Sequence, residues 1–344
     1  MNRNPTRVVL DTDIGTDVDD ALALVLALAS PEIDVIGVTV VDGDVDVRAR
    51  MAARLLGMAG RPDIPVLMGE SNPLGEGRMP TGFGHEGEGL LDLPWDGPEA
   101  EILTQPAPEW IVDQSHQNPF HLVAVGPFTN VAKAVLLDPS LPSRVHHLTV
   151  MGGMVHSESY DPQWQDFFEK TGLAPNHLDH NTACDLEAAR IMALAGFEMT
   201  WVTAELTFCT TLDGVAASAL TESGSALGDR LLRMINIWSE RWFRNIPNFP
   251  NDAEPFPPGA VAALHDPLAV AAVFGGDWLT TRPHNLQFGT TNKLFKTIEV
   301  GHDQSSRADL IGAGGTHDVS IAVDRQLFAN FFLQRVTNFL RELS

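Results

Sequence analysis

The chain has 344 residues, 44% of them apolar and 19% charged, with 29 glycines and 23 prolines, the composition of a folded globular protein and not of a disordered, collagen-like or coiled-coil chain. Lys and Arg total 22 against 45 Asp and Glu, a formal net charge of −23, which argues against a general binder of phosphate backbones. Cys184 and Cys209 are the only cysteines, too few for a disulfide framework and in keeping with a reducing, cytoplasmic compartment.

The N-terminal MNRNPTR leads into a short apolar run, Val8 to Leu10, and then into aspartates, without the hydrophobic core of a secretion signal. Ala21 to Ala29 is the longest apolar stretch, about half of the ~20 residues a membrane helix needs, and reads as a buried helix. Short β-branched runs occupy Arg7 to Asp11, Val35 to Val41, His121 to Gly126, Val145 to Gly152 and Met199 to Thr207. Between them, Ala21 to Ala29, Val47 to Met58, Thr129 to Leu137 and Leu186 to Ala195 have helical length and apolar spacing. That alternation predicts an α/β fold: a mostly parallel central sheet, Rossmann-like, with helices on both faces. Right-handed crossovers then bring all strand C-terminal ends to one edge. Arg325 to Leu343 reads as a closing amphipathic helix. Residues 1–344 read as one domain, with segments 69–96, 156–180 and 245–259 as long lid or binding loops.

Ligands of open α/β sheets bind outside the strands' carboxyl ends, and here those ends carry DTDIGTDVDD, VDGD, VGPFTN, MGGM and TAELT. Asp11, Asp13, Asp17, Asp19 and Asp20 fall within ten residues. Asp11 and Asp13 are expected to share a side-chain direction, and Asp19 and Asp20 to open a helix whose positive end favours anions. Capping by Asp17 or Asp19 accounts for one or two of the five. The rest repel one another unless a cation sits among them. With many carboxylates and no phosphate loop or lysine nearby, the expected ion is Ca2+ rather than Mg2+. A rival Zn2+ set, His177, His180 and Cys184, has the spacing of one helical face but lacks a fourth ligand. His265-Asp266-Pro267 opens another helix; an Asp cap followed by Pro explains Asp266 and Pro267 but leaves His265 unexplained.

In order along the chain, VVLDTDIGTDVDDALAL, IGVTVVDGDVDVRAR, LVAVGPFTNVAKAVLLDPSL, LTVMGGM, DHNTACDLEAARIM and LHDPLAV resemble the nucleoside hydrolase family, the inosine-uridine-preferring N-ribohydrolases. The resemblance covers nearly the whole chain. It implies Ca2+ held by Asp13, Asp20, the backbone carbonyl of Val125 and Asp266, completed by sugar hydroxyls. The acidic motif here is two residues longer than is usual in the family, so Asp19-Asp20 is the matching pair. Asp44 stands where much of the family has Asn, and together with Asp19 and Asn181 it is expected to hold ribose hydroxyls. Asp179 replaces a Glu in a Glu-x-Asn pair and is one methylene shorter; Asn176 is a candidate for a further sugar-binding Asn.

The implied reaction is hydrolysis of the N-glycosidic bond of ribonucleosides, in which positive charge develops on the sugar and negative charge on the base. The resemblance gives Asp13 as the base that accepts a proton from water and His265 as the candidate acid for the leaving base. His85, Glu86, Glu88, Trp238, Trp242 and Phe249 are expected around the nucleobase. Two other readings stand beside this one. A calcium-dependent riboside-binding protein would need neither base nor acid. A haloacid-dehalogenase-like phosphatase is suggested by VVLDTDIGT, but its later lysine and acidic pair are missing. The expected enzyme is a cytoplasmic homodimer or homotetramer acting on a small-molecule ribonucleoside, with no nucleic-acid or membrane partner.

Overall fold

A computed structural model describes residues 4–75, 83–154, 179–243, 259–291, 294–299 and 309–344. The chain begins with β1 (Thr6–Thr12), α1 (Asp19–Leu28), β2 (Ile33–Val40), α2 (Val45–Met58), β3 (Val66–Met68) and β4 (Ile102–Leu103). It continues with α3 (Ala107–Gln117), β5 (His121–Ala124), α4 (Thr129–Leu137), β6 (His147–Met151), α5 (His180–Cys184), α6 (Leu186–Leu194) and β7 (Met199–Val202). Then come α7 (Ala204–Thr207), β8 (Thr211–Asp213), α8 (Gly214–Ser218), α9 (Ala226–Trp238), β9 (Ala260–Ala263) and α10 (His265–Ala272). Three long strands, β10 (Leu279–Thr291), β11 (Leu294–Glu299) and β12 (Asp309–Val323), precede α11 (Arg325–Glu342).

Ten strands form the central sheet in the order β11-β10-β12-β7-β6-β5-β1-β2-β3-β4. From β12 to β4 every pairing is parallel, and β10 and β11 extend one edge as antiparallel strands. The chain winds outward from β1 through β2, β3 and β4, then restarts at β5 on the other side of β1 and winds away through β6 and β7. The direction of winding thus reverses between β1 and β5, which opens a crevice beyond their C-terminal ends. The doubly wound sheet expected from the alternating pattern is present. The antiparallel arm is an addition, because β10 and β12 read through Gly, Thr, Asn and His with no clean alternation of polarity. The run from Met199 is divided: the strand ends at Val202 and Ala204–Thr207 is helical, since Thr203 adopts an extended conformation and is followed by good helix formers.

Helix α1 is apolar all round after its two aspartates and is buried from Asp19 to Ala27, as a helix without a polar face must be. Pro31 prevents its continuation, and the Ser30 hydroxyl donates to the Leu26 carbonyl at 2.7 Å. One apolar cluster joins α1, α2, α9, α10 and α11 on one face of the sheet, including Leu22, Leu26, Leu56, Leu268 and Phe328. A second fills the opposite face beneath α3, α4 and α6, including Trp110, Phe128, Met192 and Trp201. Burying α1 between the sheet and α10 fixes the start of both helices at the crevice. No helix of the described residues is long and apolar enough to cross a membrane.

Candidate functional site

Two helix N-termini meet at the crevice. Asp19 and Asp20 form the first turn of α1 and Asp266 lies in the first turn of α10. Each offers a carboxylate oxygen, the three lie within 4.8 Å of one another, and all three residues are buried. The positive ends of both helix dipoles partly offset this charge, yet burial and the mutual repulsion of the aspartates push all three carboxyls well above the usual range. A compact set of oxygen donors that cannot comfortably ionise together is the donor set of a hard cation. The Asp266 backbone N–H donates to Asp19 Oδ2 at 3.1 Å, and the Thr12 hydroxyl donates to Asp20 Oδ1.

Asp13 lies outside that trio but close enough to raise the pKa of Asp20, Asp19 and Asp266 by repulsion. It sits at the switch itself: a Cβ on Gly126 would lie 2.8 Å from Asp13 N and 3.0 Å from Asp13 Oδ1. Val125 N donates to Asp11 O at 2.8 Å, which binds the end of β5 to the end of β1. Asn181 Nδ2 donates to the Val125 carbonyl at 2.6 Å and to Met151 O at 3.2 Å. A carbonyl has a second lone pair, so this contact leaves Val125 able to face a cation. Gly126→Ala is expected to cost about 1–3 kcal/mol by overpacking and to move Asp13; thermal melting and kcat measured together check both effects.

Asp11 stands close enough to Asp13 to be raised by its repulsion, but its own carboxylate is tied to the neighbouring elements. Asp11 Oδ1 accepts from Thr39 Oγ1 at 2.5 Å and from Asn130 Nδ2 at 2.7 Å, and burial pushes its carboxyl up to about 7. Asp17 folds onto the backbone just ahead of α1, its Oδ1 accepting from Val18 N at 2.5 Å and Asp19 N at 3.4 Å, while the N-cap position itself is Val18, without a side-chain cap. Asp44 is exposed and caps α2 by accepting from Val47 N at 3.1 Å. Asp179 is buried, with Oδ2 accepting from Gly153 N at 3.0 Å and from the Thr182 hydroxyl. Its Oδ1 has no hydrogen-bond partner among the described residues, and burial raises its carboxyl to about 6.

His265 is buried, and Phe208 meets its ring edge-on at a centroid distance of 4.5 Å. His85 lines an open recess of about 260 Å³ beside the acidic loop, together with Gly15, Asp17, Met51, Met234 and Trp238. The His85 and Trp238 rings lie 5.7 Å apart. Glu86 accepts from Phe83 N and Gly84 N within its own turn, and Glu88 pairs with Arg241 at 2.7 Å. Asn176, His177 and Phe249, the Trp242 side chain and most of the expected loops at 156–180 and 245–259 lie outside the described residues. Of the zinc set, His180 and Cys184 sit one helical turn apart, with Nε2 to Sγ at 3.2 Å, and the described residues supply no third ligand there.

Sequence reasoning passed over several residues that shape this site: Asn130, which ties Asp11 to Val40 O and Glu70 N, the buried Asp42 and Arg48, and Thr207 beneath His265. Arg48 carried the clearest signal, a cation in the first turn of a helix, where the dipole disfavours it.

A doubly wound sheet with buried carboxylates at its switch point describes a class of α/β enzymes that work at the strand ends. The sequence profile of "Inosine-uridine preferring nucleoside hydrolase" matches residues 8–330. A "Probable uridine nucleosidase 2" of Arabidopsis thaliana is 31% identical over 238 residues, 67% of this chain and 69% of the relative. An "Inosine-uridine preferring nucleoside hydrolase" of Crithidia fasciculata is 27% identical over 315 residues, 89% and 90% of the two chains. The solved structure of a plant nucleoside hydrolase, the PpNRh1 enzyme, superposes with a TM-score of 0.77 at 26% identity, covering 97% of this chain and 99% of that one. The chain belongs to the nucleoside hydrolase family and is a nucleoside N-ribohydrolase.

Proposed function

We propose that this enzyme hydrolyses ribonucleosides to free base and ribose with Ca2+ held by Asp13, Asp20, the Val125 carbonyl and Asp266. The observation that carries this reading is the trio of buried carboxylates at the sheet's switch point, beside Asp13 and the β5 carbonyl end. When bound, a divalent cation neutralises the carboxylates and lowers the pKa of coordinated water.

The chain's own residues do the rest. Asp13 accepts the proton of the attacking water, for which the Val125-Gly126 turn holds it in place. Asp19, whose Oδ2 accepts from the Asp266 N–H, is the proposed holder of a sugar hydroxyl. Asn181, with its amide N–H groups on Val125 and Met151, offers Oδ1 to accept from the sugar. The unpartnered Asp179 Oδ1 is a further acceptor. Carboxylates around the ring stabilise the oxocarbenium-like charge that develops as the base departs. Asp44 and Asn176 complete the sugar subsite in this reading, and His85 with Trp238 forms one wall for the base. Release of reducing sugar from uridine or inosine, lost on chelation and restored by Ca2+ better than by Zn2+, tests the whole reading.

One observation favours a positioning role for His265 over acid catalysis. The Thr207 hydroxyl lies 2.7 Å from His265 Nδ1; when it donates to Ala204 O, at 3.2 Å, it accepts from Nδ1, which puts the lone pair of the neutral ring on Nε2. Burial pushes the imidazole down to about 3, which keeps it neutral at pH 7. Accordingly His265→Ala is expected to raise KM and to lower kcat alike for nucleosides and for p-nitrophenyl riboside. A kcat loss confined to nucleosides, whose bases need a proton to leave, would return the acid role to His265.

A further inference from the structure

Arg48 is the only lysine or arginine among the described residues that is buried, at 2% exposure. It stands in the first turn of α2, where the helix dipole repels a cation, so its surroundings must compensate. Its guanidinium meets two chain segments at once. Nη1 donates to the carbonyls of Asp13 and Ile14, the latter at 3.1 Å, at the point where the acidic loop leaves β1. Nε donates to the Asp42 carbonyl at 2.6 Å, and Nη2 lies 3.6 Å from Asp42 Oδ2, where the chain leaves β2.

The segment on the β2 side is itself unusual. Asp42 has φ +69°, the only positive φ at a non-glycine among the described residues, a conformation that needs outside support. The grip on its carbonyl supplies that support. A planar fork with five donors in fixed directions suits three carbonyls and a carboxylate; an ammonium on a flexible stem does not.

We propose that Arg48 is a positioning residue for Asp13: its fork clamps the Asp13 and Ile14 carbonyls to the Asp42 turn and so fixes where the Asp13 carboxylate stands. The clamp acts through the backbone and touches neither substrate nor water. Its catalytic importance rests on the role of Asp13 proposed above; the clamp itself does not.

Arg48→Lys keeps the charge and removes the fork, so it separates geometry from electrostatics. We expect kcat to fall about 10²-fold, the scale set by an ångström of misplacement, with KM changed by less than about 3-fold. In Arg48→Ala, millimolar guanidinium restores part of the lost rate and methylammonium does not. Hydrogen exchange of the 11–20 segment, measured on the unliganded protein, quickens in both variants while their melting transitions remain cooperative. A lysine variant with wild-type kcat and wild-type exchange overturns the proposal, as does equal rescue by methylammonium. A wild-type enzyme inactive on every nucleoside defeats the functional reading alone, because the exchange experiment still decides the clamp.

Discussion

Asp13→Asn is expected to lower kcat by about 10²-fold or more, the usual contribution of a positioned base, while leaving the protein folded. The substitution conserves size while removing the proton acceptor and the negative charge. Because Asp13 also faces the cation in the proposed site, Ca2+ affinity is measured alongside, by calorimetry on the chelator-treated protein. A kcat within a few-fold of wild type at saturating Ca2+ would remove Asp13 from the role of base.

The second large effect couples ion removal to pH. A carboxyl whose folded-state pKa is raised holds a proton that it gives up on unfolding, so its contribution to stability is present below the unfolded pKa near 4 and lost as pH rises through the folded value. Burial raises Asp11 to about 7 and Asp17 to about 8, and Asp19, Asp20 and Asp266 rise well above the ordinary range. In chelator, the melting temperature is therefore expected to fall between pH 5 and pH 8, and activity to vanish throughout. With Ca2+ at about 100 times its dissociation constant at pH 7, roughly 2.7 kcal/mol of stability returns there, and at that fixed concentration the gap between the two conditions widens with pH because ionised carboxylates bind the cation more tightly. Asp266→Ala should narrow that gap. Melting curves identical with and without chelator across this range would argue against a cation at the trio.

Much of this was legible because parallel strands buried on both faces advertise themselves as β-branched runs. Residues Val35 to Val41 predicted β2 to within two residues at either end, and the helix at Thr129–Leu137 matches its prediction residue for residue. The acidic cluster and the His265-Asp266 start were visible for a related reason: carboxylates so dense have no cheap place in a folded protein without an ion. Other contacts stayed hidden because they join segments far apart in sequence. Nothing near Asn130 announces that its amide will serve Asp11, 119 positions away, and nothing near Thr39 announces its bond to the same carboxylate. Asp11 was therefore grouped with its neighbours along the chain, when its partners lie on β2 and α4. The strands β3 and β4, three and two residues long, are too short to show any period, and their place is set by pairing, β3 with β2 and β4 with β3.

The hydrogen bond from Asp266 to Asp19 spans 247 positions, and this has a consequence for how the protein is made. During synthesis the first aspartates leave the ribosome long before α10 exists, so they remain solvated and far from their eventual partner. Contacts of such separation form late, once the intervening sheet has brought the ends of α1 and α10 together. No ion can template the early steps, since the binding cage is absent from the nascent chain. In the proposed site, metal loading is thus a final event of maturation, and a truncated chain ending before Leu264 would lose β10, β11 and β12 together with the cage.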